Sequence, residues 1–146
     1  AVDVSEFAVE CARENAARNG LSQVVDCVAA NVFDLLPQLQ KGQYDFIILD
    51  PPAFTKSRQT TQRAMAGYKE INYRAMRLLP RGGYLATCSC SHFATEELFP
   101  KMLHAAAHDA GVQLRQIEAR QQSADHPILW GVEETSYLKF YLFQVV

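Results

Sequence analysis

The sequence predicts an α/β fold, with a mostly parallel sheet and helices on both faces. Three observations predict it. Apolar, strand-like runs alternate with helix-spaced segments along the whole chain, the pattern that builds parallel sheets. One run, Phe46-Ile47-Ile48-Leu49, is apolar throughout, as a strand buried on both faces requires. The polar residues that stand out, Asp3, Asn31, Asp50 and Cys90, each fall just past such a run. Open α/β sheets bind ligands there, outside the carboxyl ends of their strands.

The elements follow in order. Residues 1–4 form a short apolar strand ending in an acid. Ser5 caps the next helix, with Phe7, Cys11 and Ala12 at helical spacing and Gly20 just past its end. Residues 24–30 read as a buried strand. Asn31 caps a short helical stretch over 32–39, which Pro37 interrupts. Residues 44–49 give the strongest strand signal and run into Asp50-Pro51-Pro52. The two prolines end the strand and force extended backbone after it. A helix over 64–79 carries Ile71, Ala75 and Leu78 on one face, and Gly82-Gly83 breaks it before a strand over 84–90. A helix over 95–110, a strand over 112–117 and an aromatic-rich strand over 137–145 complete the set. Residues 120–136 are the least regular and read as a loop. The chain begins inside a strand, and no glycine-rich turn precedes Asp3. That predicts a single truncated domain over 1–146, lacking the central first strand and its glycine loop. The unpaired sheet edge left behind invites low stability, rearrangement or a homodimer.

A chain of 146 residues, 49% of them apolar, can bury a core of ordinary size. No stretch reaches the roughly 20 apolar residues of a membrane helix, and the first residues lack a basic region followed by an apolar run. Cys11, Cys27, Cys88 and Cys90 show neither a disulfide framework nor paired metal-ligand spacing. Free thiols in a reducing, cytoplasmic setting are the natural reading. The net charge is −2, yet residues 51–81 hold seven basic groups (Lys56, Arg58, Arg63, Lys69, Arg74, Arg77 and Arg81) against the single acid Glu70. A basic patch on an acidic body suits a bound polyanion; a solvated, arginine-rich helix is the plainer alternative.

Asp3 can accept the hydroxyls of a ribose, as an acid does after the second strand of nucleotide-binding sheets, or simply favour the start of a helix. Asn31 can bond an adenine amino group, although a plain helix cap accounts for it as well. Asp50-Pro51-Pro52-Ala53-Phe54 is more specific. The prolines fix the backbone, so the carboxylate and carbonyl oxygens face a pocket rigidly, and Phe54 can stack on a flat base held there. In Thr87-Cys88-Ser89-Cys90-Ser91-His92 the two cysteines lie on one strand face. A cysteine at a strand end near a helix start has a route to thiolate, which suits covalent catalysis. Cys90 lies further out and is the better nucleophile, whereas Cys88 packs inside; two core cysteines are the alternative. Cys11 and Cys27 read as core, and His104 and His108 as a solvated pair with no third metal ligand. Trp130 carries no assignable role.

Val2-Asp3-Val4-Ser5, Asn15-Ala16-Ala17-Arg18-Asn19-Gly20, Asn31-Val32-Phe33, Leu49-Asp50-Pro51-Pro52-Ala53-Phe54, Gly67-Tyr68-Lys69-Glu70-Ile71-Asn72 and Ser89-Cys90-Ser91 occur in this order, followed by Ala124-Asp125-His126-Pro127 and Tyr137-Leu138-Lys139. In this combination the chain resembles the catalytic domain of the bacterial large-subunit ribosomal RNA cytosine-5 methyltransferases, the RlmI-like family. The resemblance implies a Rossmann-like class I methyltransferase fold, S-adenosylmethionine as cofactor and ribosomal RNA as partner. It implies that Asp3, with Val4 beside it, holds the cofactor's ribose and that Asn31 and Val32 flank its adenine. Asp50 would border the cofactor and, with Pro51, Pro52 and Phe54, position a cytosine, with Lys56 and Arg58 on the RNA. In the wider cytosine-5 family the nucleophile lies seven residues past the second glycine of the Gly-Gly pair, and counting from Gly83 gives Cys90. Asn31 stands where an acid is commoner in the family. The rival readings are a base methyltransferase of other specificity (adenine amino or guanine), a nicotinamide-dependent oxidoreductase and a non-catalytic RNA-binding domain. The base methyltransferases of other specificity need no cysteine; Asp3 suits the oxidoreductase too, but the Asp-Pro-Pro turn and the basic segment fit only a methyltransferase.

Overall fold

The computed structural model describes residues 1–54 and 61–146; Lys56 and Arg58 lie outside the described residues. The chain forms two compact units, Ala1–Leu39 and Gln40–Val146.

In the first unit β1 (Val2–Asp3) pairs in parallel with β2 (Val28–Ala29), Asp3 opposite Ala29. Between them runs α1 (Glu6–Arg18), which starts where the Ser5 hydroxyl accepts the Ala8 amide and ends before Gly20 at φ +70°. Its buried positions are Val9 and Ala16. Phe7, expected on the packed face, is 80% exposed, because the buried stripe runs one step round the helix. The strand expected over 24–30 is cut to two residues, since Val24 and Val25 are drawn into a turn closed on the Leu21 carbonyl. Asn31 caps α2 (Val32–Leu35), and Pro37 turns the chain into a 3₁₀ helix over Leu36–Gln38.

The second unit is a four-stranded sheet in the order β3-β4-β6-β5. β3 (Phe46–Leu49) pairs in parallel with β4 (Tyr84–Ser89), Leu49 opposite Thr87. β6 (Lys139–Val145) is antiparallel to both β4 and β5 (Leu114–Arg120). So β3, β4 and β5 run one way and β6 alone runs back, which keeps the sheet mostly parallel in direction. α3 (Thr61–Leu78) and α4 (Leu98–Ala110) pack on each other. The core lies between these helices and one sheet face. Tyr68, Ile71, Ala75 and Met76 of α3 meet Phe99, Met102 and Leu103 of α4, above Leu85, Thr87 and Ser89 of β4. Tyr68 stacks edge-on to Phe99, and Phe99 leans on Tyr141 of β6. On the other face of β3, Ile48 is 69% exposed and Phe46, 47% exposed, stacks on Tyr84 beside it.

Gly83 immediately precedes β4 and is buried. A Cβ there would stand 3.0 Å from the Pro80 carbonyl oxygen and 3.1 Å from that of Asp45. Both obstacles are backbone, so neither can step aside cheaply. Gly83→Ala is expected to destabilise the whole protein by about 1–3 kcal/mol, read from its urea unfolding midpoint.

Candidate active site

Asp50 and Cys90 sit at the carboxyl ends of two hydrogen-bonded parallel strands. β3 ends at Leu49 and β4 at Ser89, so each functional side chain is the first residue beyond its strand. The parallel register brings Asp50 level with Cys88, and their side chains meet. The Cys88 thiol donates to Asp50 Oδ1 at 3.1 Å and to the Leu49 carbonyl at 3.3 Å. Cys88 is therefore more than the packing residue the sequence suggests. Burial, then the hydrogen bond to Asp50 and its negative charge, push the Cys88 thiol up to about 12. It stays protonated and acts as a donor to Asp50.

The Asp-Pro-Pro segment is tied down from α3. The Tyr68 hydroxyl, fully buried, donates to the Pro52 carbonyl at 3.4 Å. Burial raises its phenol above the usual tyrosine value, with a hydrogen bond to Ser89 acting in the opposite direction. The Phe54 ring lies 4.6 Å from that of Tyr68, centroid to centroid. Phe54 is thus engaged with the core on one side as well as standing at the end of the segment. In the sequence Tyr68 is marked only as part of Gly67-Tyr68-Lys69-Glu70-Ile71-Asn72, one of the segments that carry the family resemblance.

Beyond Cys90 the chain makes a tight turn. Ser91 is buried, and its carbonyl accepts the Ala94 amide and the Lys139 ammonium, the latter at 2.6 Å. α4 does not begin until Leu98, although Thr95 already accepts the Leu98 and Phe99 amides, so the helix starts a little later than the sequence suggests. Lys139, opposite Ser89 in β6, is the charged group there; sequence reading saw it only as part of a familiar segment.

In the first unit, Asp3 and Asn31 stand together at the carboxyl end of the β1–β2 pair, the Ala30 amide bonding to the Asp3 carbonyl. Asp3 Oδ1 accepts the Ser5 amide at 2.8 Å. Among the described residues its second oxygen has no partner, so the exposed carboxylate fits a diol such as the ribose of S-adenosylmethionine. Asn31 Oδ1 caps the Phe33 amide at 3.0 Å, the plain role the sequence allowed, and its amide nitrogen remains for a ligand. Val4 is exposed and Val32 half-buried.

The basic segment is less free than its charge count implies. Lys69 pairs with Asp109 at 2.6 Å, Arg74 with Glu70, and Arg77 lies over the Tyr73 ring and donates to its hydroxyl. Arg63 and Arg81 are exposed and, among the described residues, without an ion pair. Two shallow surface hollows, of about 350 and 400 Å³, are lined around Asp45, Gly82 and Tyr84 and around Lys69, Tyr73 and Asp109; neither touches Asp50 or Cys90. No described helix is long and apolar enough to cross a membrane.

A thiol held near 12 is almost wholly protonated at pH 8, with a thiolate fraction on the order of 10⁻⁴. Only thiolate reacts with iodoacetamide. Brief labelling of the whole protein at pH 8, followed by peptide mapping, is expected to modify Cys90 and spare Cys88. Cys88 labelling should rise only as the pH climbs towards 12.

A profile of the methyltransferase small domain matches residues 1–113. The ribosomal RNA large subunit methyltransferase I of Klebsiella pneumoniae strain 342 is 40% identical over 99% of this chain, and that of Shewanella amazonensis 45% identical over 94%. The chain spans 37% and 36% of their lengths, a little over a third. Among solved structures, SMU.776 complexed with SAH superposes with a TM-score of 0.77 at 19% identity, over 99% of this chain and 38% of that one. NSun6 from Pyrococcus horikoshii with SFG gives 0.66 at 17%, over 98% and 40%. These likenesses show the class I methyltransferase fold. By the profile match and by identity over nearly its whole length to the methyltransferase I proteins, the chain belongs to the methyltransferase small-domain family, in its RlmI-like branch.

Proposed function

We propose that the protein transfers a methyl group from S-adenosylmethionine to C5 of a cytosine in large-subunit ribosomal RNA through a covalent adduct on Cys90. The observation that carries this reading is the pairing at the ends of β3 and β4: a carboxylate that accepts a hydrogen bond from the Cys88 thiol, with a second cysteine one step beyond the strand end. A methyltransferase acting on an amino group needs an acidic-Pro-Pro turn but no cysteine. A cytosine C5 is a poor nucleophile and does need one.

In this reading the Cys90 thiolate adds to C6 of a cytosine lifted out of its RNA stack. The electron pair of the C5–C6 bond moves to C5. Asp50 borders the N3/N4 edge of the ring, accepts a hydrogen bond from the N4 amino group and so orients the base for attack. S-adenosylmethionine supplies the electrophilic methyl group that C5 takes. A base then removes the proton from C5, the double bond re-forms and the Cys90 thiolate leaves. Asp50 can serve this role only while its carboxylate is held in place, which the Cys88 thiol and the proline pair both favour. Asp3 holds the ribose hydroxyls of the cofactor, with Val4 beside it, and Asn31 and Val32 border the adenine. Pro51, Pro52 and Phe54 frame the cytosine, and Lys56, Arg58 and the exposed Arg63 contact RNA phosphates. The basic segment supports an RNA partner, which fits the names of the curated relatives.

Cys90→Ala is expected to abolish methyl transfer to ribosomal RNA in the whole protein while leaving S-adenosylmethionine affinity unchanged. Full activity in that variant would sink the reading. Asp50→Asn should lower kcat by about 10²-fold or more. Asp3→Ala removes a charge-assisted hydrogen bond, so titration calorimetry should show cofactor Kd rising by about ten-fold or more.

A further inference from the structure

Lys139 is a buried ammonium, 6% exposed. Its Nζ donates to the Ser91 carbonyl at 2.6 Å and to the Tyr137 carbonyl at 2.7 Å. Among the described residues no carboxylate lies within ion-pair distance of it. A lysine held in this way is rare, because two neutral carbonyls do not repay the loss of water around a full charge. Burial accordingly lowers its affinity for a proton, and the largest influence acting the other way is the negative charge of Cys90, followed by Glu96. Coulombic coupling is symmetric: a thiolate that favours the ammonium is favoured by it to the same extent.

Cys88, on the same strand and bonded to the Asp50 carboxylate, and the Tyr68 phenol of α3, the other titratable groups beside Cys90, carry no positive charge. Among the described residues Lys139 is the cation that faces Cys90. It also grips the backbone of the turn, because the Ser91 carbonyl it holds belongs to the residue after Cys90.

We propose that Lys139 is a positioning residue for the nucleophile: from β6 it fixes the turn that follows Cys90 and sets the positive charge that favours the Cys90 thiolate. The inference rests on the reading of Cys90 as nucleophile, but its test needs neither RNA nor cofactor.

The test is the rate of Cys90 alkylation by iodoacetamide against pH in the whole protein, followed by mass spectrometry. Lys139→Met should slow the reaction at pH 7 by about tenfold and displace the whole curve. Lys139→Arg, which keeps the charge, should stay within about threefold of the wild type. An unchanged curve for a folded Lys139→Met would overturn the proposal. If that variant does not fold, the reciprocal measurement decides. NMR of the labelled lysine side chains should show Lys139 in Cys90→Ser losing its proton at lower pH than in the wild type, and an unmoved titration would equally overturn it. Coupling intact with no methyl transfer to RNA would instead count against the functional reading alone.

Discussion

The parallel pairing of β3 with β4, with Leu49 opposite Thr87, is the constraint on which the site depends. Side chains alternate along a strand, so a slip of one residue would turn every one of them to the other face. In the observed register Leu85, Thr87 and Ser89 face the helices, while Cys88 meets the Asp50 carboxylate at 3.1 Å. The register is itself fixed from both ends. At the amino end Gly83 fits against two backbone carbonyls. At the carboxyl end Tyr68 reaches from α3 to the Pro52 carbonyl and holds the Asp-Pro-Pro segment down. The geometry of the site is thus a by-product of how the core packs, which is why two residues with no chemistry of their own, Gly83 and Tyr68, control it.

Two cysteines two positions apart receive opposite treatment. Cys88 is half-buried, faces a carboxylate and remains a thiol. Cys90 lies past the end of the strand and has a cation across the sheet in Lys139. The difference comes from position rather than from residue type. A strand interior desolvates a side chain and pairs it with whatever the next strand presents. The first residue beyond the strand is free of the ladder and faces the loops. The same logic separates Asp50 from Leu49.

Much of this was legible in the sequence. The apolar run 46–49, the glycine pair and the double proline placed β3, β4 and the ends that carry Asp50 and Cys90, because each signal is local and physically forced. The caps at Ser5 and Asn31 were legible for the same reason. The packed face of α1 was not: Phe7 and Val9 are both apolar, and only tertiary contacts decide which is buried. The thiol–carboxylate bond was hidden because it depends on a register between residues 38 apart in sequence. Lys139 was hidden more deeply. Lysine is normally a surface residue, and its partner Ser91 lies 48 positions away. The helix start invoked for Cys90 was misplaced because Thr95 and Glu96 look like a helix beginning, while the regular turns start at Leu98.

The claim that ties these parts together is that Cys90 forms a bond to a cytosine. It can be tested directly with RNA containing 5-fluorocytidine, in which the fluorine at C5 cannot leave as a proton does. In the presence of S-adenosylmethionine the whole protein should accumulate a methylated adduct that survives denaturation, and peptide mapping should place it on Cys90. Methyl transfer to ordinary RNA with no trapped adduct, or an adduct on Cys88, would contradict the account.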